Sequence, residues 1–124
     1  MVGMDKQYLL DVANFHVRVW WKRFVDVYPQ LGEIPRVKLN GRLKTTAGRA
    51  FLEDRYIELS PELMWEHTEN FCRDTIPHEL AHLVAYRLHG DEGHGKGWKG
   101  IVAQFNIPTT RLHNMVNSKW QNRK

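Results

Sequence analysis

Three histidines and one glutamate carry the chemistry open to this sequence. Residues 78–82 read His78-Glu79-Leu80-Ala81-His82, and His94 follows in the glycine-rich stretch Gly93-His94-Gly95-Lys96-Gly97. Side chains four apart on a helix lie one turn apart on the same face, so His78 and His82 can offer imidazole nitrogens to one ion. Glu79, about 100° round the helix, can reach a water on that ion and act as general base. Catalytic zinc needs three neutral protein ligands, an open position for water and a nearby carboxylate to take its proton. The pattern therefore points to Zn2+ and to hydrolysis of peptide bonds.

The third ligand has to be chosen. His89 shares the helical face of His78 and His82, but it lies about 10 Å beyond His82 on an unbroken helix at 1.5 Å per residue. A metzincin would place a glycine three residues after the second histidine and a ligand histidine three further on. Those positions are Ala85 and Leu88. His94 is better placed: Gly90 can end the helix, and Gly93, Gly95 and Gly97 let the loop fold back, through positive φ if a position needs it. Asp91 and Glu92 could ligate as carboxylates, but they read more simply as solvated loop residues. The metal set is then His78, His82 and His94, with Glu79 catalytic.

Several elements must position this set. Apolar Leu80, Leu83, Val84 and Leu88 give the motif helix a buried side opposite the histidines. That helix is expected from about Glu69 to His89, bent at Pro77 just before His78. Residues 5–28 read as a long amphipathic helix with Leu9, Val12, Ala13, Trp20, Phe24 and Val27 on its inner face. His16 lies on the apolar side, as a packed histidine. Arg36–Leu39 alternates like a short strand, and residues 49–59 like a hairpin turning at Glu53-Asp54. Ser60-Pro61-Glu62 is a helix start. Helices are also expected at Trp98–Phe105 and Thr109–Trp120. The fold class is α+β: a small sheet beside the motif helix, with further helices.

Composition fits this reading. The 124 residues are 42% hydrophobic and 26% charged, as in one globular domain. Cys72 is the single cysteine, so no intramolecular disulfide and no cysteine zinc ribbon can form. No stretch is long and apolar enough to span a membrane, and residues 1–10 lack a secretory core, so a cytoplasmic setting is expected. The net charge of +4 is a mild basic bias that permits nucleic-acid contact.

Four segments in order resemble the SprT-like metallopeptidases, the family of bacterial SprT and the protease domain of eukaryotic Spartan. They are Thr46-Ala47-Gly48-Arg49-Ala50, Ile57-Glu58-Leu59-Ser60-Pro61, Pro77 to His82, and Gly93 to Trp98. The resemblance spans roughly residues 36–116 and makes residues 1–124 one such domain. It implies a zincin-like fold, ligands at His78, His82 and His94, and a catalytic carboxylate at Glu79. For the Spartan branch it also implies cleavage of DNA-crosslinked proteins, with DNA as activator. Many relatives carry a C-terminal cysteine-rich ribbon that this sequence lacks. Any DNA contact would then be weak and would use Arg36, Lys38, Arg42, Lys44 and Arg49, or Lys119, Arg123 and Lys124.

The expectation is a monomeric zinc metallopeptidase acting on protein substrates laid along a sheet edge, the strand near Arg49–Leu52. Tyr86 and His113 are candidates for stabilising the oxyanion. The rival readings are a DNA-associated regulatory protein with a structural zinc site, and an inactive scaffold. Three ligands plus water argue against the first, where a closed four-ligand site would favour it, and intact Glu79 argues against the second, because a structural site has no use for that carboxylate.

Overall fold

The computed structural model describes residues 3–108. It opens with α1 (Lys6–Val27), capped by Asp5, whose carboxylate accepts from the Tyr8 N–H at 3.0 Å. The buried stripe of α1 is Leu9, Ala13, Val17, Trp21 and Phe24, at helical steps of four and three. This differs from the expected face at two positions. Trp21, not Trp20, turns inward, and its indole N–H donates to the Gly32 carbonyl at 3.0 Å. Trp20 stays half-buried under the Arg23 guanidinium, 4.4 Å from its ring. Val27 is 50% exposed, because the chain turns away there into the 3-10 turn Pro29–Leu31.

Three strands follow: β1 (Arg36–Leu39), β2 (Gly48–Phe51) and β3 (Tyr56–Leu59). The sheet order is β1-β3-β2, with β3 parallel to β1 and antiparallel to β2. Val37, Ile57 and Leu59 are buried, whereas Arg36, Lys38 and Arg49 stay exposed on the other face. The hairpin turns where expected. Arg55 closes it in the left-handed region (φ 58°), held there by bonds from its guanidinium to the carbonyls of Leu31 (2.9 Å) and Glu33 (3.0 Å). β2 is an edge strand, as expected.

Ser60 starts α2 (Pro61–Glu66) as expected: its hydroxyl accepts from the Leu63 N–H at 3.2 Å and donates to the Leu43 carbonyl at 2.9 Å. A short turn, α3 (Thr68–Asn70), leads through a π-helical turn (Phe71–Thr75) into α4 (Ile76–His89). Pro77 explains the π turn. It lacks the N–H that would close onto the Arg73 carbonyl, and the ladder just upstream is already wide, with the Ile76 N–H bonding back to Phe71. The proline effect expected as a bend thus takes the form of a widened turn at the entry to α4. Gly90 ends α4 in the left-handed region (φ 69°), with the Asp91 N–H reaching back to Ala85. The last described helix is α5 (Lys96–Gln104).

α4 packs against α1, β2 and α5. Its inner residues Ile76, Leu80, Val84 and Ala85 are fully buried with Phe24, Phe71, Ile57 and Met64. The helix that carries the histidines is therefore fixed on three sides, which is the fold's contribution to the site. No described helix is long and apolar enough to cross a membrane. The expected helix at Thr109–Trp120 lies outside the described residues.

Candidate metal centre

α4 delivers His78 and His82 from successive turns, and the loop after Gly90 brings His94 to meet them. The His78 Nε2 lies 3.3 Å from the Nε2 of His82 and 3.3 Å from that of His94. One candidate ligand atom from each ring falls within 4.8 Å of the others. A nitrogen of a neutral imidazole offers one hydrogen or one lone pair, so His78 Nε2 cannot satisfy both neighbours by hydrogen bonding. A shared cation can. Tetrahedral zinc with Zn–N bonds of about 2.0–2.1 Å separates its nitrogens by about 3.3–3.4 Å. The three histidines fit that ion. His89 does not join them: it is exposed at the end of α4, and the cluster holds only His78, His82 and His94 among the described residues.

The electrostatics suit a metal. Burial, and His94 beside it, push the His82 imidazole down to about 4. His82 is thus neutral at pH 7, the form in which imidazole ligates. Glu79 is 7% exposed, and burial pushes its carboxyl up to about 8. Its Oε2 lies 4.0 Å from the His78 Nε2, on the side where the imidazoles converge. A cation there would oppose the burial effect and favour the carboxylate.

Three residues outside the motif build this arrangement. Trp98, 6% exposed on α5, packs beside all three imidazoles, with ring centroids 4.9, 5.4 and 4.3 Å from His78, His82 and His94. Its indole N–H donates to the His78 carbonyl at 3.4 Å. Asp91 organises the loop. Its carboxylate accepts from the N–H groups of Trp98 (2.9 Å), Gly93 (2.9 Å) and Gly95 (3.4 Å), and these bonds hold its pKa below the usual carboxylate range. It caps α5, whose own N-cap Gly95 has no side chain to do so. The sequence reading of Asp91 as a solvated loop residue is corrected by these bonds. Gly48 is the third. A Cβ there would lie 2.9 Å from the Glu58 carbonyl oxygen and 3.2 Å from the Glu79 Cγ. Its absence lets the Glu79 side chain lie against the start of β2.

The loop glycines act differently from the sequence expectation. Among the described glycines only Gly32 and Gly90 have positive φ. Gly95 and Gly97 matter by close approach: a Cβ on either would come within 3.0 Å of Asp91, and on Gly97 within 3.0 Å of the His89 Cβ. His16 is half-buried in a surface groove away from the centre, where burial lowers its pKa. Tyr86 lies one turn past His82 and faces the hairpin. His113 lies outside the described residues.

The sequence that builds this centre is similar to those of known proteins. The SprT-like family model matches residues 14–118. Protein SprT of Vibrio parahaemolyticus is 39% identical over 110 residues, covering 87% of this chain and 61% of that protein. Protein SprT of Yersinia pestis is 35% identical over 109 residues, 86% of this chain and 57% of the relative. Protein SprT of Photorhabdus laumondii is 38% identical over 84 residues, 65% and 43% respectively. The chain spans about half the length of these curated relatives. No solved structure matches significantly. The family match runs from within α1 through the sheet, the motif helix and the His94 loop, and on that extent the chain belongs to the SprT-like family.

Proposed function

We propose that the protein is a zinc-dependent metallopeptidase of zincin-like architecture, acting as a monomer on protein substrates. The observation that carries the reading is the convergence of three imidazole nitrogens beside a buried carboxylate and a free strand edge. When bound, zinc supplies Lewis-acid polarisation of a carbonyl and acidifies water. His78, His82 and His94 would hold it. Glu79 accepts the proton of the attacking water and passes it to the leaving amine. Gly48 leaves room for that carboxylate beside β2. The unpaired edge of β2 offers main-chain groups to an extended substrate, which sets the scissile bond across the centre. Trp98 excludes solvent from the inner side of the imidazoles.

The substrates we infer are DNA-bound or DNA-crosslinked proteins. Arg36, Lys38 and Arg49 share the exposed face of the sheet, and Lys38 Nζ sits 4.3 Å from the centre of the Tyr56 ring, which stacks on Phe51 at 4.4 Å. Cations beside aromatic faces suit single-stranded nucleic acid. Lys44 suits it less, because it pairs with Glu62 at 3.6 Å. The test is proteolysis of a DNA-binding protein by zinc-loaded enzyme, with and without single-stranded DNA, with Glu79→Gln as control. Cleavage is expected to need Glu79 and to rise with DNA. DNA binding should weaken with a log–log salt slope of roughly −2 to −3, as three or four phosphate contacts give. Cleavage unchanged by DNA, with no binding at low salt, leaves a general metallopeptidase. Cleavage that survives Glu79→Gln refutes the mechanism.

A further inference from the structure

The turn that leads into α4 buries a carboxylate with little to hold it. Asp74 lies in the π turn Phe71–Thr75 and is 0% exposed. Its Oδ1 accepts from the Arg73 Nε at 3.2 Å, but the Arg73 side chain is half exposed, so solvent screens that pair. Its Oδ2 is buried and has no hydrogen-bond partner among the described residues. A buried carboxylate oxygen left without a donor is costly, and native proteins keep such groups where an active site or a bound ion has a use for them.

Its position joins this oxygen to the metal centre. Asp74 comes four residues before His78, as His78 comes four before His82. The π turn runs into α4 without a break, so the three side chains follow one stripe along the helix. Helical side chains lean towards the N-terminus, which carries the His78 ring back over the turn that holds Asp74. The Nε2 of that ring is turned to His82 and His94, and its Nδ1 is buried, as the Asp74 Oδ2 is. Glu79, the other buried carboxyl among the described residues, lies on the Nε2 side.

We propose that Asp74 is a positioning residue for the metal centre: its carboxylate accepts the Nδ1–H of His78 and so presents the Nε2 lone pair to the ion. The inference rests on the zinc centre of the reading above and deepens it. A neutral imidazole carries one proton, and the hydrogen bond made by one ring nitrogen decides which nitrogen is left to ligate. That choice matters most at His78, whose Nε2 lies 3.3 Å from those of both His82 and His94. Trp98 already holds the main chain of the same residue, through the His78 carbonyl. With its backbone held from α5 and its ring from the turn before α4, His78 has one orientation to offer. Supporting contacts of this kind change metal affinity by about 10–100-fold.

Zinc affinity and the fate of one proton test this. The parent, Asp74→Ala, Asp74→Asn and Arg73→Gln proteins would be titrated with zinc against a chelator. Asp74→Ala should bind zinc about 10–100-fold more weakly than the parent. Asp74→Asn keeps an acceptor oxygen and should lose less, and Arg73→Gln should match the parent. Asparagine also keeps the shape of the side chain, so NMR of protein with isotope-labelled histidine reads the bond without rebuilding the turn. In the zinc-loaded parent the His78 Nδ1 should carry a slowly exchanging, downfield proton. Asp74→Asn should move that signal upfield and leave those of His82 and His94 in place, which a merely structural role would not do. Parent-like affinity in both Asp74 variants, a loss in Arg73→Gln equal to that in Asp74→Ala, or a His78 Nδ1 proton that is absent or unmoved, overturns the role and leaves the peptidase reading intact. A zinc-loaded parent that shows the bond and cleaves no peptide keeps the role and refutes the peptidase reading instead.

Discussion

Replacing Glu79 by Gln should change how the metal-free protein responds to pH, before any question of activity arises. Burial raises the Glu79 carboxyl from 4.5 to about 8. Between those values the folded state holds a proton that the unfolded state has released. Stability contributed by this group is therefore present below pH 4.5 and is lost as pH rises through 8. The slope is about 1.4 kcal/mol per pH unit, which amounts to roughly 3 kcal/mol by pH 7. Glu79 is only 7% exposed, so solvent screening removes little of this. Glutamine has no such proton, and the variant should escape the loss. His82 acts in the opposite sense in both proteins: its folded value near 4 means that stability falls as pH drops below 6.5. Urea unfolding of the EDTA-treated proteins, followed by tryptophan fluorescence, gives the stability of each at several pH values. The difference, variant minus parent, should climb from pH 4.5 to 8 by several kcal/mol. With zinc added, the cation favours the carboxylate and the parent's loss should shrink. A difference that stays flat across that range in EDTA would refute the account of Glu79 as a carboxyl buried without a compensating charge.

Two further outcomes concern how the metal is held. His94→Ala should lower zinc affinity more than about 100-fold, since it removes a direct ligand where loss of a supporting contact alone costs 10–100-fold, whereas His89→Ala should leave it unchanged; metal titration against a chelator reads both, and the reverse result would reassign the third ligand. Asp91→Ala removes the acceptor of two loop N–H groups and of the Trp98 N–H in the first turn of α5, and Gly95→Val or Gly97→Val drives a Cβ against Asp91. Each should weaken zinc binding by about 10–100-fold without touching a ligand, and unchanged affinity in all three would mean that the loop does not set His94.

What the sequence made legible follows from which forces are local. The spacing of His78 and His82 is a property of one helix, so their shared face needed no tertiary information. The Ser60 cap and the hairpin at residues 49–59 are local for the same reason, and both appear in the structure. The failures lie where distant segments decide. Trp20 and Trp21 are adjacent on α1, and Trp21 is the one that turns inward, where it packs on Phe24 and donates to the Gly32 carbonyl of a distant segment. Pro77 could have bent the helix or been absorbed. It is absorbed because the carbonyls upstream find partners in a π turn.

Asp91 is the most instructive of these residues. From the sequence it is one acidic residue in a run of Asp, Glu and Gly, the composition of an exposed loop. Its role exists only once α5 is placed, because one of its three donors is the first-turn Trp98 N–H of that helix. The glycines then take their meaning from Asp91 rather than from their own backbone angles: Gly95 and Gly97 are small because the carboxylate needs the space. One contact thus links the cap of α5, the path of the loop and the place of His94. Trp98, set by the same bond, closes the inner side of the three imidazoles. The local code places His78, His82 and Glu79. His94 is brought to them by a loop whose geometry is a tertiary consequence of a single, partly exposed hydrogen-bond acceptor, and a search for similar centres should look for that acceptor as well as for the histidines.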